Sequence, residues 1–168
     1  MPKHEIRKVR LEAIRRTLTV TSKQFLTPQM LRVNFRSNEL DTFQSPSHDD
    51  HVKLLLQSGS STTETVMRDF TPRAWNSAAG TFFLDFALHA EGPAVDWARS
   101  AKVGDTLQIG GPRGSISVPD DFDWYLLVGD ATALPAIARR VQSLRPGASV
   151  TVIALVSAEA EVCLPLNW

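Results

Sequence analysis

Val66-Met67-Arg68-Asp69-Phe70-Thr71-Pro72-Arg73 sets two guanidinium groups on either side of an aromatic ring and a hydroxyl. Side chains alternate faces along an extended strand, so Arg68 and Phe70 start out on one side before Pro72 bends the chain. Arginine is a rigid fork of donors matched to phosphate oxygens. Phe70 offers a flat face to a planar ring, and Thr71 adds one small hydroxyl that both donates and accepts. The set suits a ligand with an aromatic head at one end and a diphosphate at the other, as a flavin dinucleotide has.

The downstream sequence supplies a second half to such a cradle. Phe82-Phe83-Leu84-Asp85-Phe86-Ala87-Leu88-His89 reads as a strand and is followed by Glu91-Gly92-Pro93-Ala94-Val95-Asp96-Trp97-Ala98. Gly92 can turn tightly, and Pro93 suits a first helical position. A helix starting there presents free backbone N–H groups, which attract anions. A plain helix start is the alternative, and Trp97, one turn on, reads first as a packing residue.

Outward from this centre the chain divides into two characters. Arg15 to Thr21, Met30 to Arg36, His51 to Gln57, Met67 to Thr71, Thr81 to Leu88 and Thr106 to Ile109 read as six short strands with turn signals between them. That pattern predicts a small antiparallel barrel over residues 1–121. Residues 1–14 form a basic segment expected to be solvated, and Gly110 to Gly114 reads as a hairpin-type turn carrying Arg113. From residue 122 onward, Trp124 to Val128 is a continuous apolar run, Ala133 to Leu144 has helical periodicity, and Val150 to Val156 is apolar again. The order is βαβ, with the first strand expected to be buried on both faces.

Composition narrows the function classes. The 168 residues carry 18 Lys+Arg and 18 Asp+Glu, a net charge of zero that argues against nucleic-acid binding driven by bulk phosphate attraction. The single cysteine, Cys163, excludes an internal disulfide or a thiolate cluster. His4, His48, His51 and His89 have no metal-ligand spacing, and neither a nucleophile–base set nor a carboxylate pair stands out, so no catalytic or metal residue is assigned. Neither a secretory leader nor a run of spanning length is visible, so a cytoplasmic protein without membrane insertion is expected.

Arg68-Asp69-Phe70-Thr71-Pro72-Arg73, Asp85 to His89, Gly92-Pro93-Ala94 with Trp97-Ala98, Val103-Gly104-Asp105, Gly110 to Ser115 and Val128 to Ile137 together resemble the siderophore-interacting proteins, flavin-dependent ferric-siderophore reductases related to ferredoxin reductases. The likeness runs from about Arg15 to the C-terminus. Phe70 replaces a frequent tyrosine, and Ala131 replaces a usual acidic residue. The resemblance implies an FAD-binding barrel of ferredoxin-reductase type followed by the opening of an NAD(P)H-binding domain. It implies FAD contacts from Arg68, Phe70, Thr71, Pro72, Arg73, Asp85, His89, Gly92, Pro93, Ala94 and Trp97. Asp130 and Thr132, just past the first parallel strand, are implied to position NAD(P)H, with helix capping as the alternative. Lys53 and Arg113 are implied to form a basic mouth for an anionic ferric siderophore, with simple solvation or edge protection as the alternative. Family members continue beyond this length, so a C-terminally truncated protein is expected, with self-association through the uncovered sheet as one way to hide its apolar face. A reductase of the same build serving ferredoxin, flavodoxin or a quinone, and a flavin-binding module without turnover, are the rival functions.

Overall fold

Every second residue is apolar over Met30–Arg36, Val52–Ser58 up to Leu56, Thr81–Ala87 and Thr106–Gly110, and that alternation wraps one sheet around one core. The computed structural model describes residues 4–58, 61–88 and 91–158. In chain order the elements are β1 (Arg7–Arg10), β2 (Arg15–Thr27), β3 (Met30–Arg36), β4 (Val52–Ser58), β5 (Ser61–Phe70), β6 (Ala74–Asn76), β7 (Thr81–Ala87), α1 (Pro93–Ser100), β8 (Thr106–Gly110), β9 (Gly114–Ser117), β10 (Trp124–Asp130), α2 (Leu134–Ser143) and β11 (Ser149–Leu155).

Seven strands form one antiparallel sheet in the order β5-β4-β8-β2-β3-β7-β6. Its inner face carries Leu18, Val20, Val33, Phe35, Leu54, Leu56, Phe82, Leu84, Phe86, Leu107 and Ile109, all buried. Truncating Phe35, Phe82 or Phe86 to alanine would cost about 3–5 kcal/mol each, because the removed ring leaves a cavity. Phe70 in β5 and Phe86 in β7 touch with ring centroids 4.7 Å apart. These strands stand first and sixth in the sheet, so it has curled far enough to bring one edge back toward the other. Helix α1 closes the open end, burying Ala94, Val95 and Ala98.

All six expected strands are present, and β6 adds a short seventh within the segment expected to be a plain connection. Strand β2 runs six residues beyond the expected Thr21. Its register against β3 shifts between Val20 and Ser22, a bulge that breaks the alternation on which the sequence reading relied.

The N-terminal segment is not wholly solvated. Strand β1 pairs antiparallel with β9, and the His4 ring stacks on Phe122 at 4.1 Å. Arg16 is buried, with Nε donating to the Glu39 carbonyl at 2.8 Å. The turn carrying Arg113 is not a hairpin, since β9 pairs with β1 rather than β8; the Arg113 carbonyl accepts from the Leu11 amide at 2.9 Å.

β10 and β11 pair in parallel with α2 between them, giving the expected βαβ. The first strand is not buried on both faces. Helix α2 covers one side, while Trp124, Leu126 and Val128 of β10 and Ile153 and Leu155 of β11 stay exposed on the other. His89, Cys163 and the terminal residues 164–168 lie outside the described residues.

Gly129 sets how closely α2 can approach β10. A Cβ placed there would lie 2.4 Å from the Ala133 Cβ, far inside contact distance. Gly129→Ala is expected to destabilise by about 2 kcal/mol through overpacking, seen as a lower midpoint in urea unfolding with an unchanged m-value.

Candidate functional site

Strand β5 delivers Arg68 and Phe70 to the sheet edge. They stand in register with Leu54 and Val52, so both lie on one face of the β4–β5 pair. Arg68 is exposed, and its guanidinium donates to the neighbouring Met67 carbonyl at 2.9 Å. Phe70 is half-buried, one side against Phe86. Phe86 in turn lies 5.9 Å from Trp97, which stacks 6.1 Å from Phe35. An aromatic ladder therefore links the end of β5 to α1.

The start of α1 has the features of an anion site. Gly92 occupies φ 146°, which a side chain would strain, and no Cβ contact lies within 4 Å, so backbone conformation rather than space calls for glycine. The first intrahelical bond runs from the Asp96 amide to the Gly92 carbonyl at 2.9 Å. The Ala94 and Val95 amides precede it, and no side chain caps the helix. Met67 of β5 and Pro93 and Trp97 of α1 border one groove of 680 Å³, which continues along Leu55, Gln57 and Gln108. Arg68 and Phe70 lie on the other face of β5 and are not in that lining. An exposed fork and a half-buried ring on β5, linked through Phe86 to a helix with uncapped amides, fit a dinucleotide with an aromatic head.

The second arginine faces elsewhere. Pro72 is buried and the Arg73 amide donates to the Phe83 carbonyl at 3.0 Å, pinning the turn to β7. The Arg73 guanidinium lies 3.8 Å from Asp85 and donates to Gln142 of α2 at 3.0 Å. Asp85 is buried, and both its oxygens accept from Arg32, at 2.7 and 2.8 Å. Arg32 escaped the sequence reading. It sits directly opposite Asp85 in the β3–β7 register, a relation visible only once the strands are paired. Thr71 is half-exposed.

Lys53 and Arg113 share a neighbourhood but not a common state. Lys53 is in register with Gly110 and with Asp69, whose carboxylate holds its ammonium at 2.6 Å; His51 Nε2 lies 3.9 Å from the same carboxylate. This is a half-exposed pair, worth at most about 1 kcal/mol, and is easily opened. Arg113 is exposed.

At the end of β10 the Asp130 carboxylate accepts from the Thr132 amide at 2.8 Å and from its hydroxyl. The pair shapes the β10–α2 turn; the N-cap residue itself is Ala133, without a side-chain cap. Among the described residues no cluster of His, Cys, Asp or Glu has a metal-holding arrangement, and no helix is long and apolar enough to cross a membrane.

The model of the siderophore-interacting FAD-binding domain matches residues 19–66 and 61–116, and that of the siderophore-interacting protein matches 122–167. The chain belongs to the siderophore-interacting protein family. An Escherichia coli protein named NADPH-dependent ferric-chelate reductase is 32% identical over 165 residues, covering 88% of this chain and 65% of its own length. The solved structure of a siderophore utilization protein from T. fusca superposes with TM-score 0.85 at 34% identity, covering 94% of this chain and 66% of that one. The cytochrome b5 reductase domain of Ulva prolifera nitrate reductase shares the fold, with TM-score 0.69 at 15% identity, covering 88% of this chain and 65% of that one. The chain thus spans about two thirds of the length of these relatives. The architecture is the ferredoxin-reductase type, a curled FAD-binding barrel followed by the start of a nucleotide-binding unit.

Below the barrel, Asp120 ties the connection to the second unit. Burial pushes its carboxyl up, but hydrogen bonds from the Tyr125 hydroxyl and from the Arg145 amide and guanidinium together hold it below the ordinary 3.8. A depressed carboxyl stabilises the fold above its unfolded value and loses that contribution as pH falls through the folded one. Tyr125→Phe is therefore expected to move acid unfolding, followed by circular dichroism below pH 4, to higher pH.

Proposed function

We propose that the chain holds FAD between the end of β5 and the start of α1 and serves the reduction of Fe(III) in a siderophore, with NAD(P)H as electron source. The observation that carries this reading is the run of ring contacts Phe70–Phe86–Trp97, which links the end of β5 to α1 and its uncapped start. In this reading Arg68 and the amides after Gly92-Pro93 bind the diphosphate, with Ala94 supplying one of those amides. Phe70 gives its free face to the flavin ring, and Thr71 offers a hydroxyl to the ring edge. Pro72 fixes the turn. Arg73 and Asp85 act by holding that turn against β7 and β3, Trp97 forms the wall, and His89 is assigned to the flavin by family resemblance alone.

FAD, when bound, joins a two-electron hydride donor to a one-electron acceptor, chemistry that belongs to the cofactor. The protein's task is to orient it, exclude water from one face and admit the chelate. Residues 1–121 form the flavin-binding unit and residues 122–168 open the NAD(P)H unit, with Asp130 and Thr132 at the mouth where ligands meet parallel strands. Lys53 and Arg113 attract the anionic chelate. The name of the Escherichia coli relative supports the ferric-chelate substrate class and the nicotinamide donor.

The test is a single-turnover assay. FAD-loaded protein, reduced anaerobically with dithionite, is mixed with a ferric siderophore and an Fe(II)-specific chromogenic chelator. Faster Fe(II) release than from the same concentration of free reduced FAD is expected; equal rates would refute the reading. Lys53→Glu with Arg113→Glu is expected to slow the step about 10-fold at low salt and less at 0.5 M, because steering by surface charge is screened.

A further inference from the structure

We propose that the seam between the barrel and α2 is a second ligand site, one that takes a phosphate group. A cavity of 270 Å³ lies there, lined by Ser47, His48, Arg73, Ser117, Arg139 and Arg140 among others. It lies on the far half of α2 from Asp130 and Thr132: Leu134 and Gln142 are about 12 Å apart along the axis at 1.5 Å per residue.

The case rests on two guanidinium groups whose direct hydrogen-bond partners carry no charge. Arg139 donates to the Ser45 hydroxyl at 3.0 Å and the Ser45 carbonyl at 2.7 Å, and lies over the Trp75 ring. Arg140 is buried, donates to the Val118 and Pro119 carbonyls at 3.0 and 2.9 Å, and lies over Tyr125. These partners are neutral. Among the described residues neither guanidinium has a carboxylate within 4.0 Å. Asp50 and Asp49 both act on Arg139 through space, although the buried Asp50 carboxylate accepts its hydrogen bonds from the Ser45 hydroxyl and the Ser47 amide, and Asp49 is exposed. Arg73 adds a third guanidinium, shared with Asp85.

A buried guanidinium such as Arg140 with no carboxylate in contact is costly, and a bound anion offsets that cost. Each guanidinium has five N–H donors, of which these bonds use few. The carboxyl end of α2 opposes an anion here with its partial negative charge, but the Ser143 hydroxyl already donates to the Arg140 carbonyl, and the full charge of the buried Arg140 outweighs that fraction. His48 completes the lining. Burial first, then Arg140 and Arg139, lowers its pKa against the opposing pull of Asp49 and Asp50. Guanidinium edges, an imidazole and the Ser117 hydroxyl offer more donors than a carboxylate accepts and match the four oxygens of a phosphate, while the Ser47 hydroxyl already donates to the Ile116 carbonyl at 2.7 Å. The volume admits the ion or a small monoester.

The experiment follows the His48 C2 proton by NMR, assigned with His48→Gln, through pH titrations in phosphate and in chloride of equal ionic strength, with and without FAD. The His48 pKa is expected to rise by about 0.5–1 unit in phosphate at millimolar concentration, in both flavin states, since a nearby anion favours the charged imidazole. Ser117→Asp places a carboxylate in the cavity; it is expected to abolish the phosphate response and to raise the His48 pKa without added anion. A response to glycerol 2-phosphate as well as phosphate identifies a monoester site, and a response to phosphate alone identifies an ion site. Identical titrations in phosphate and chloride, or an undiminished phosphate response in Ser117→Asp, would overturn the proposal. Because the response is expected with or without flavin, its failure is separate from failure of the flavin reading.

Discussion

Arg68→Ala is expected to weaken FAD binding by about 10- to 100-fold, the effect of losing charge-assisted hydrogen bonds worth about 1.5–3 kcal/mol. Isothermal titration of the flavin-free protein would measure it. The prediction is sharp because Arg68 does little else. It is exposed, and among the described residues its guanidinium donates to the Met67 carbonyl. Removing it should therefore change unfolding free energy by no more than about 0.5 kcal/mol, as for most surface substitutions. Arg68→Lys keeps the charge but loses the planar fork and should fall between wild type and alanine. An arginine that merely decorated a strand end would leave the flavin affinity of all three proteins equal.

Asp85→Ala should act in the opposite way, through the fold. Its carboxylate takes both arms of the Arg32 fork and lies beside Arg73 in a site from which water is nearly excluded. Taking away one partner of a buried pair strands the other charge, typically at 3–5 kcal/mol. Arg32 keeps 27% of its side-chain exposure, so the lower end, about 3 kcal/mol, is expected. Asp69→Ala supplies the contrast. That pair with Lys53 is about half-exposed on both sides and should cost less than about 1 kcal/mol. Urea unfolding of the two variants side by side checks the difference. Similar losses in both would show that burial does not govern the Asp85 site.

Much of the barrel could be read from residue order, because its strands keep the two-residue period that a one-sided sheet requires. The six long strands and the βαβ order were visible for that reason. What could not be read were the features that depend on pairing. The bulge after Val20 changes the phase of β2 and makes the strand look as though it ends at Thr21. β1 has no apolar alternation of its own and exists because β9 offers it an edge. The apolar run of β10 suggests two covered faces, yet sequence cannot say which neighbours are present to cover them.

The candidate site was legible in its parts and less so in its geometry. Arg68 and Phe70 share a face, as alternation requires. Arg73 stands five residues after Arg68 and beyond the end of β5, and the chain turns at Pro72 so that its guanidinium meets Asp85 and α2. No local signal pairs Arg32 with Asp85, since they are 53 residues apart and meet only through register. The arginines of α2 read as an ordinary polar face until the loop before β4 and the end of β9 close over them.

The central claim is that β5 and α1 converge on one flavin. The most direct measurement is an absorbance titration of the flavin-free protein with FAD, run in parallel with riboflavin. A saturable shift in the flavin bands with one FAD per chain is expected, with riboflavin binding far more weakly because it lacks the diphosphate that Arg68 and the α1 amides would hold. No spectral change with FAD, or equal affinity for riboflavin, would contradict it.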